Sequence, residues 1–194
     1  QADLLVRLGR EDEALQVIAT AQGQKLDRLG FHATLFQIGF LKGDDALLQQ
    51  QLAWVKGKPD EFRSYEWQAQ TLAYAGRLRE ADELYRRAME GAKQRNLTEV
   101  AVSLAMQSAL RQALGGNTAA AQKLLNEAIA MSPTTFSLYS ASKSAPFGPL
   151  MLALSGAVKQ AEAFDVELVR RQPHNTLANA IWLPLSRAAV ALQR

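Results

Sequence analysis

The sequence predicts an all-α fold, an α-α superhelix of about five helical hairpins closed by a terminal helix. Three observations predict it. A glycine recurs five times, each followed five residues later by a residue that is small in four copies, and then, four and seven residues further on, by positions that are apolar in nearly every copy. Those positions share one face of a helix and do not alternate as a strand would. The chain is 48% hydrophobic and 21% charged, a globular composition with enough apolar side chains for a core.

The five copies read Gly9, Ala14, Ile18, Ala21; Gly43, Leu48, Leu52, Val55; Gly76, Ala81, Tyr85, Ala88; Gly116, Ala121, Leu125, Ala128; and Gly156, Ala161, Asp165, Leu168. Subtracting positions places the glycines 34, 33, 40 and 40 residues apart. Glycine suits the left-handed conformation that ends a first helix, and the chain then turns into a second. The alanine lies one turn inside that second helix, where a small side chain lets two backbones approach. The following apolar positions continue the seam.

Taken in order, this grammar predicts helices over about 2–8, 11–23, 27–41, 44–56, 60–75, 78–94, 97–114, 117–131, 146–155, 157–171 and 175–192. They group into one repeat domain spanning 1–194, with units at about 1–25, 26–59, 60–95, 96–133 and 134–173 and a terminal helix over 174–194. Pro59-Asp60 and Pro173-His174-Asn175 supply helix starts, and Pro184 should kink or restart the last helix, since it removes a hydrogen bond. The two wider spacings are accommodated by a longer helix near 96–114 and a loop over 134–145. Leu48, in place of a small residue, should widen its hairpin. Asp165, in an apolar slot, should mark a rotated face packed by Phe164 and Leu168.

This grammar resembles the tetratricopeptide repeat across nearly the whole chain: Phe36, Ala69 and Ala109 fall on its first-helix position and Pro133 and Pro173 on its proline after the second helix. Leu48, Asp165 and Pro149 depart from the pattern. The resemblance implies that first helices line a concave face. Its inward positions fall on Gly30, Ala33, Gln37, Phe40 and Leu41, then on Arg63, Glu66, Trp67, Gln70 and Tyr74. The fourth unit supplies Ser103, Met106, Leu110 and Leu114, and the fifth Lys143, Phe147, Leu150 and Leu154. The expected partner-binding groove is Gln37, Arg63, Glu66, Trp67, Gln70, Tyr74 and Met106, because Arg, Trp and Tyr dominate binding energy at interfaces. Relatives that clasp acidic C-terminal tails hold them with Lys and Asn; Ala33, Gln37, Glu66 and Gln70 occupy those slots here, which argues against that partner.

No other chemistry is indicated. The net charge of +3 is spread in mixed runs without a basic block, so nucleic acid is not expected as a partner. With no cysteine and two distant histidines, His32 and His174, no metal or cofactor site is expected. His32 is read as a partly exposed helical residue without a role, and His174 as a local cap. Gly115-Gly116-Asn117-Thr118 lacks the lysine of a phosphate loop. Asn96-Leu97-Thr98 fits a glycosylation sequon, a pattern too common to weigh. The carboxylate pairs Asp12-Glu13, Asp44-Asp45 and Asp82-Glu83 open second helices, where they oppose the helix dipole, so no catalytic residue is assigned. The most apolar window, Pro149 to Val158, is too short to cross a membrane.

Leu52-Ala-Trp-Val-Lys-Gly-Lys-Pro, Glu66-Trp-Gln-Ala-Gln-Thr-Leu-Ala-Tyr-Ala-Gly-Arg-Leu-Arg-Glu-Ala and Asn175-Thr-Leu-Ala-Asn-Ala-Ile-Trp-Leu-Pro are similar to the repeat tails of bacterial eukaryotic-like serine/threonine protein kinases. Similar tails follow winged-helix regulators. The resemblance implies a piece of a longer signalling protein with its catalytic domain elsewhere, on the cytoplasmic or extracytoplasmic side of a membrane-anchored parent. The chain itself carries no kinase motif. The expected function is to bind a protein or peptide as a scaffold or sensor, with a small-ligand sensor of a transcriptional regulator as the alternative and a helical-repeat enzyme behind it. Apolar surface at poorly capped ends predicts self-association.

Overall fold

The computed structural model describes residues 1–133 and 148–194, and the loop expected over 134–145 lies outside them, as do Lys143 and Phe147. Eleven α-helices form the described chain: α1 Ala2–Arg7, α2 Glu11–Gly23, α3 Leu29–Lys42, α4 Asp45–Val55, α5 Phe62–Tyr74, α6 Leu78–Gln94, α7 Thr98–Leu114, α8 Thr118–Met131, α9 Gly148–Leu154, α10 Val158–Arg171 and α11 Leu183–Leu192. The chain divides into two compact units, Gln1–Thr71 and Leu72–Arg194, with the division inside α5.

All five repeat glycines are left-handed, at φ 68° for Gly9 and Gly43, 75° for Gly76, 81° for Gly116 and 86° for Gly156. Around each, two reversed hydrogen bonds cap the outgoing helix. At Gly43 the glycine N–H donates to Phe40 O at 3.3 Å and the next N–H, of Asp44, donates to Gly39 O at 2.8 Å. The same pair recurs at the other four glycines, so one Schellman cap ends every first helix of a pair. The residues that follow are packed as the pattern requires. Ala14, Ala81, Ala121 and Ala161 are buried, as are Ile18, Tyr85 and Leu125 one turn on and Val55, Ala88, Ala128 and Leu168 beyond.

In the first unit α1 packs on α2 and α3 on α4, while α3 also touches α1 and α2. One core joins Ala2, Val6, Ala14, Ile18 and Ile38. A second joins Phe36, Val55 and Trp67 with Leu48, Leu52 and Trp54 around them. Leu48 was expected to widen its hairpin, and the facing helix supplies the compensation: a Cβ on Gly39 would stand 3.3 Å from Leu47 Cβ, Leu48 Cδ2 and Asp44 O. The small residue has moved to the other helix.

In the second unit α7 lies between α6 and α8, α9 packs on α7, α8 and α10, and α11 closes on α9 and α10. Polar contacts join one pair to the next at repeat spacing: Lys93 on Glu127 at 2.9 Å and Gln122 Nε2 on Ser155 O at 2.5 Å. At Gly115 an added Cβ would stand 2.4 Å from Leu78 Cδ1, so in the double glycine one residue serves backbone conformation and the other close packing.

One expectation is corrected here and another takes a definite form. Asp165 does not mark a rotated face: it is 6% exposed on the same seam as Ala161 and Leu168, and Phe164 is only half-buried. Pro184 restarts its helix, as expected. The turn before it, Ala178–Trp182, is wound as a π-helix and runs directly into α11, with Pro184 in that helix's first turn. The wider winding absorbs the missing donor. Upstream, Asn175 Oδ1 accepts from Ala178 N–H at 2.9 Å, so the helix-start reading of that segment holds, with Asn175 as the residue that caps. At the other start, Glu61 accepts from Gly57 N–H at 2.9 Å.

Candidate partner-binding face

In the first unit the expected groove residues lie on α3 and α5. Gln37 is exposed on the outer side of α3, on the opposite side from Ile38 and Phe36 neighbours that enter the cores. On α5, Glu66 and Gln70 are one turn apart, with Gln70 Nε2 donating to Glu66 Oε1 at 3.4 Å. Arg63 is half-buried with its guanidinium carbon 5.4 Å from the Phe62 ring centroid, and its Nε is buried with no hydrogen-bond partner. Tyr74, already in the second unit, is 84% exposed.

Two of the seven expected residues face the core. Trp67 is 9% exposed and packs against Phe36 with ring centroids 5.8 Å apart. Met106, in the second unit, is fully buried in the middle of α7. Both are apolar side chains at helical spacing, and burial on the seam explains them without a partner. On the same helix Leu114 is exposed, and Leu110 is half-buried.

Compared with protein families, curated proteins and solved structures, the chain finds no significant match in any of the three. Its function is therefore argued from its own residues. Among the described residues no three His, Asp or Glu side chains gather to hold a metal ion, and no helix is long and apolar enough to cross a membrane. An open depression of about 510 Å³ lies beside α1 and α2, lined by Leu5, Arg10, Glu13, Gln16 and Val17 among others. Arg10 Nε donates to Glu13 there at 2.6 Å, and this exposed pair holds the Glu13 carboxyl below its ordinary range.

His32 departs from its expected role. It is 5% exposed, and both ring nitrogens have partners. These partners come from Asp27, before α3, and Gln51, on α4. They stand 5 and 19 residues away in sequence, so no local helical spacing announces them.

Proposed function

We propose that the chain is a tetratricopeptide-like interaction module of a larger bacterial signalling protein, whose helix pairs continue one another as a solenoid and whose first helices present a binding face for a protein or peptide. The observation that carries this reading is the repeated hairpin: five glycine caps of one kind, each followed at the same spacing by buried or half-buried residues. Within each unit first helices also touch first helices, α1 with α3, α7 with α9 and α9 with α11, which supports a common face made of them. Such arrays expose long surfaces and no single catalytic cleft.

On that face the residues proposed for contact in the first unit are Gln37, Arg63, Glu66 and Gln70. Their amides and guanidinium suit an extended peptide with polar backbone groups and an occasional carboxylate. Trp67 and Met106 hold the face from behind. The parent kinase or regulator, and either side of its membrane, belong to the same proposal, resting on the quoted sequence resemblances.

The test is selection of peptides from a displayed random library on the whole chain, followed by mapping with amide NMR shifts. Selected peptides should perturb Gln37, Glu66 and Gln70, and the paired Gln37→Glu, Gln70→Glu variant should weaken them at least about tenfold while leaving the urea midpoint in place. Peptides whose binding ignores both substitutions would defeat the assignment.

A further inference from the structure

The contact between the last two helices of the second unit carries a polar mismatch that the repeat pattern does not ask for. Nine residues after the repeat glycine stand Ile18, Leu52, Tyr85 and Leu125, and in the fifth copy Asp165. This carboxylate is buried on α10 and faces α11, which offers it the fully buried Ser186. Neither group is satisfied there: Asp165 Oδ1 and Ser186 Oγ have no hydrogen-bond partner. Burial pushes the carboxyl up, and the hydroxyl lies near enough to temper that shift without making the bond. Arg187, one residue on, is exposed and acts on the carboxyl only through its charge. A buried carboxylate without a matched donor costs free energy, so α11 is a poor complement to the surface it covers.

The backbone of that helix is also irregular. Pro184 brings no N–H to its first turn, and the turn before it is π-wound. The contact rests on a small apolar cluster of Leu168, Ala178 and Leu183 with Leu150 and Trp182 packed against it, and on the buried Ala189 and Val190. An exposed ion pair of Arg194 with Glu162 adds little. Beneath α11, therefore, Leu150 of α9 and Leu168 of α10 present an apolar surface with one anionic point, Asp165. Tethering gives α11 a concentration advantage over any helix arriving from solution. A rival must gain where α11 is deficient, and Asp165 is that place.

We propose that α9 and α10 form a receptor surface for an amphipathic helix carrying a cationic or amide donor opposite Asp165, and that α11 occupies this surface as an intramolecular stand-in which such a helix displaces. The partner's donor meets Asp165 Oδ1 with a charge-assisted hydrogen bond where Ser186 makes none. Its apolar stripe takes the places of Ala178 and Leu183 against Leu150 and Leu168. The inference does not rest on the face proposed for Gln37, Glu66 and Gln70, which belong to the first unit.

The test uses the whole chain. Displayed peptides that copy residues 175–194, randomised at the positions of Trp182, Ser186 and Ala189, are selected on it, and the winners are followed by native-state hydrogen exchange. Lysine, arginine, glutamine or asparagine should take over the Ser186 position, and such peptides should bind at least about tenfold more tightly than the unaltered copy. On binding they should speed exchange in α11 while α9 and α10 stay protected. Selection on Asp165→Leu should erase the preference for a donor. A selection without winners, winners without a donor, a preference that survives Asp165→Leu, or α11 amides that open only together with those of α10 would each overturn the proposal. Exchange of α11 between two copies, in place of peptide capture, would overturn it in favour of self-association.

Discussion

At Gly43 the backbone stands at φ 68° with no atom within 4 Å of where a Cβ would be, so the glycine serves conformation alone. Two further caps of the same kind end α2 and α6, but there the left-handed residues are Lys25 at 61° and Asn96 at 57°. At Lys25 the N–H donates to Gln22 O at 2.9 Å and that of Leu26 to Ala21 O at 3.0 Å, the same reversed pair as at the glycines. Asparagine tolerates this region; lysine is strained in it. The two sites should respond in opposite directions. Gly43→Ala should cost about 1 kcal/mol and Lys25→Gly should add roughly 0.5 kcal/mol, read as shifts in urea midpoint at constant slope. Equal effects of the same sign would refute the reading. The glycine caps are legible in the sequence because the seam positions follow each of them at one fixed spacing. The Lys25 cap is not, since nothing local distinguishes that lysine from a solvated one. Asn96, read as part of a sequon, has its structural reason in the same cap.

The boundaries of the pairs are legible at the scale of the element for a related reason: each seam is written in residues four and seven apart, and Ala81, Tyr85 and Ala88 are all buried as that spacing implies. What escapes is compensation between elements. Leu48 looked like a defect because its partner, Gly39, sits on another helix, and only the packed hairpin shows the exchange. His32 escapes likewise, because Gln51 and Trp54 approach it from α4. Asp165 is the clearest case. Its Oδ1 and the Ser186 Oγ on α11 are buried without hydrogen-bond partners. Burial pushes its carboxyl above the ordinary range; the neighbouring Ser186 hydroxyl and the Arg187 charge pull the other way, and Glu162 adds to the rise. A raised carboxyl binds its proton more tightly folded than unfolded, so its contribution becomes more favourable as pH falls from the raised value toward the ordinary aspartate range near 3.9. Replacing it by the apolar residue that the slot asks for, Asp165→Leu, should raise stability at pH 7 by roughly 1 kcal/mol and flatten that acid-side gain in urea titrations. A loss of stability at pH 7 would show instead that the carboxylate is well solvated or paired.

At the scale of the whole molecule, the proposed solenoid would keep each helix pair folded by its neighbours. In the second unit each helix from α7 to α11 packs mainly on helices of its own or the next pair. Such a chain should respond to damage by distance along the array, as repeat proteins do. The face expected to bind a partner then depends on local support. For Gln37 and Gln70 that support is the Phe36, Val55 and Trp67 core. Their polarity was legible; which neighbours faced solvent was not, because Trp67 and Met106 share the same helical spacing as the exposed positions and only packing separates them. The most direct measurement is native-state hydrogen exchange of Leu125→Ala, which empties a fully buried site on α8 and should cost about 2–5 kcal/mol there. Protection should fall most in α7, α8 and α9 and progressively less through α10 and α11. An equal fall in every helix of the unit, as from one indivisible core, would contradict the account.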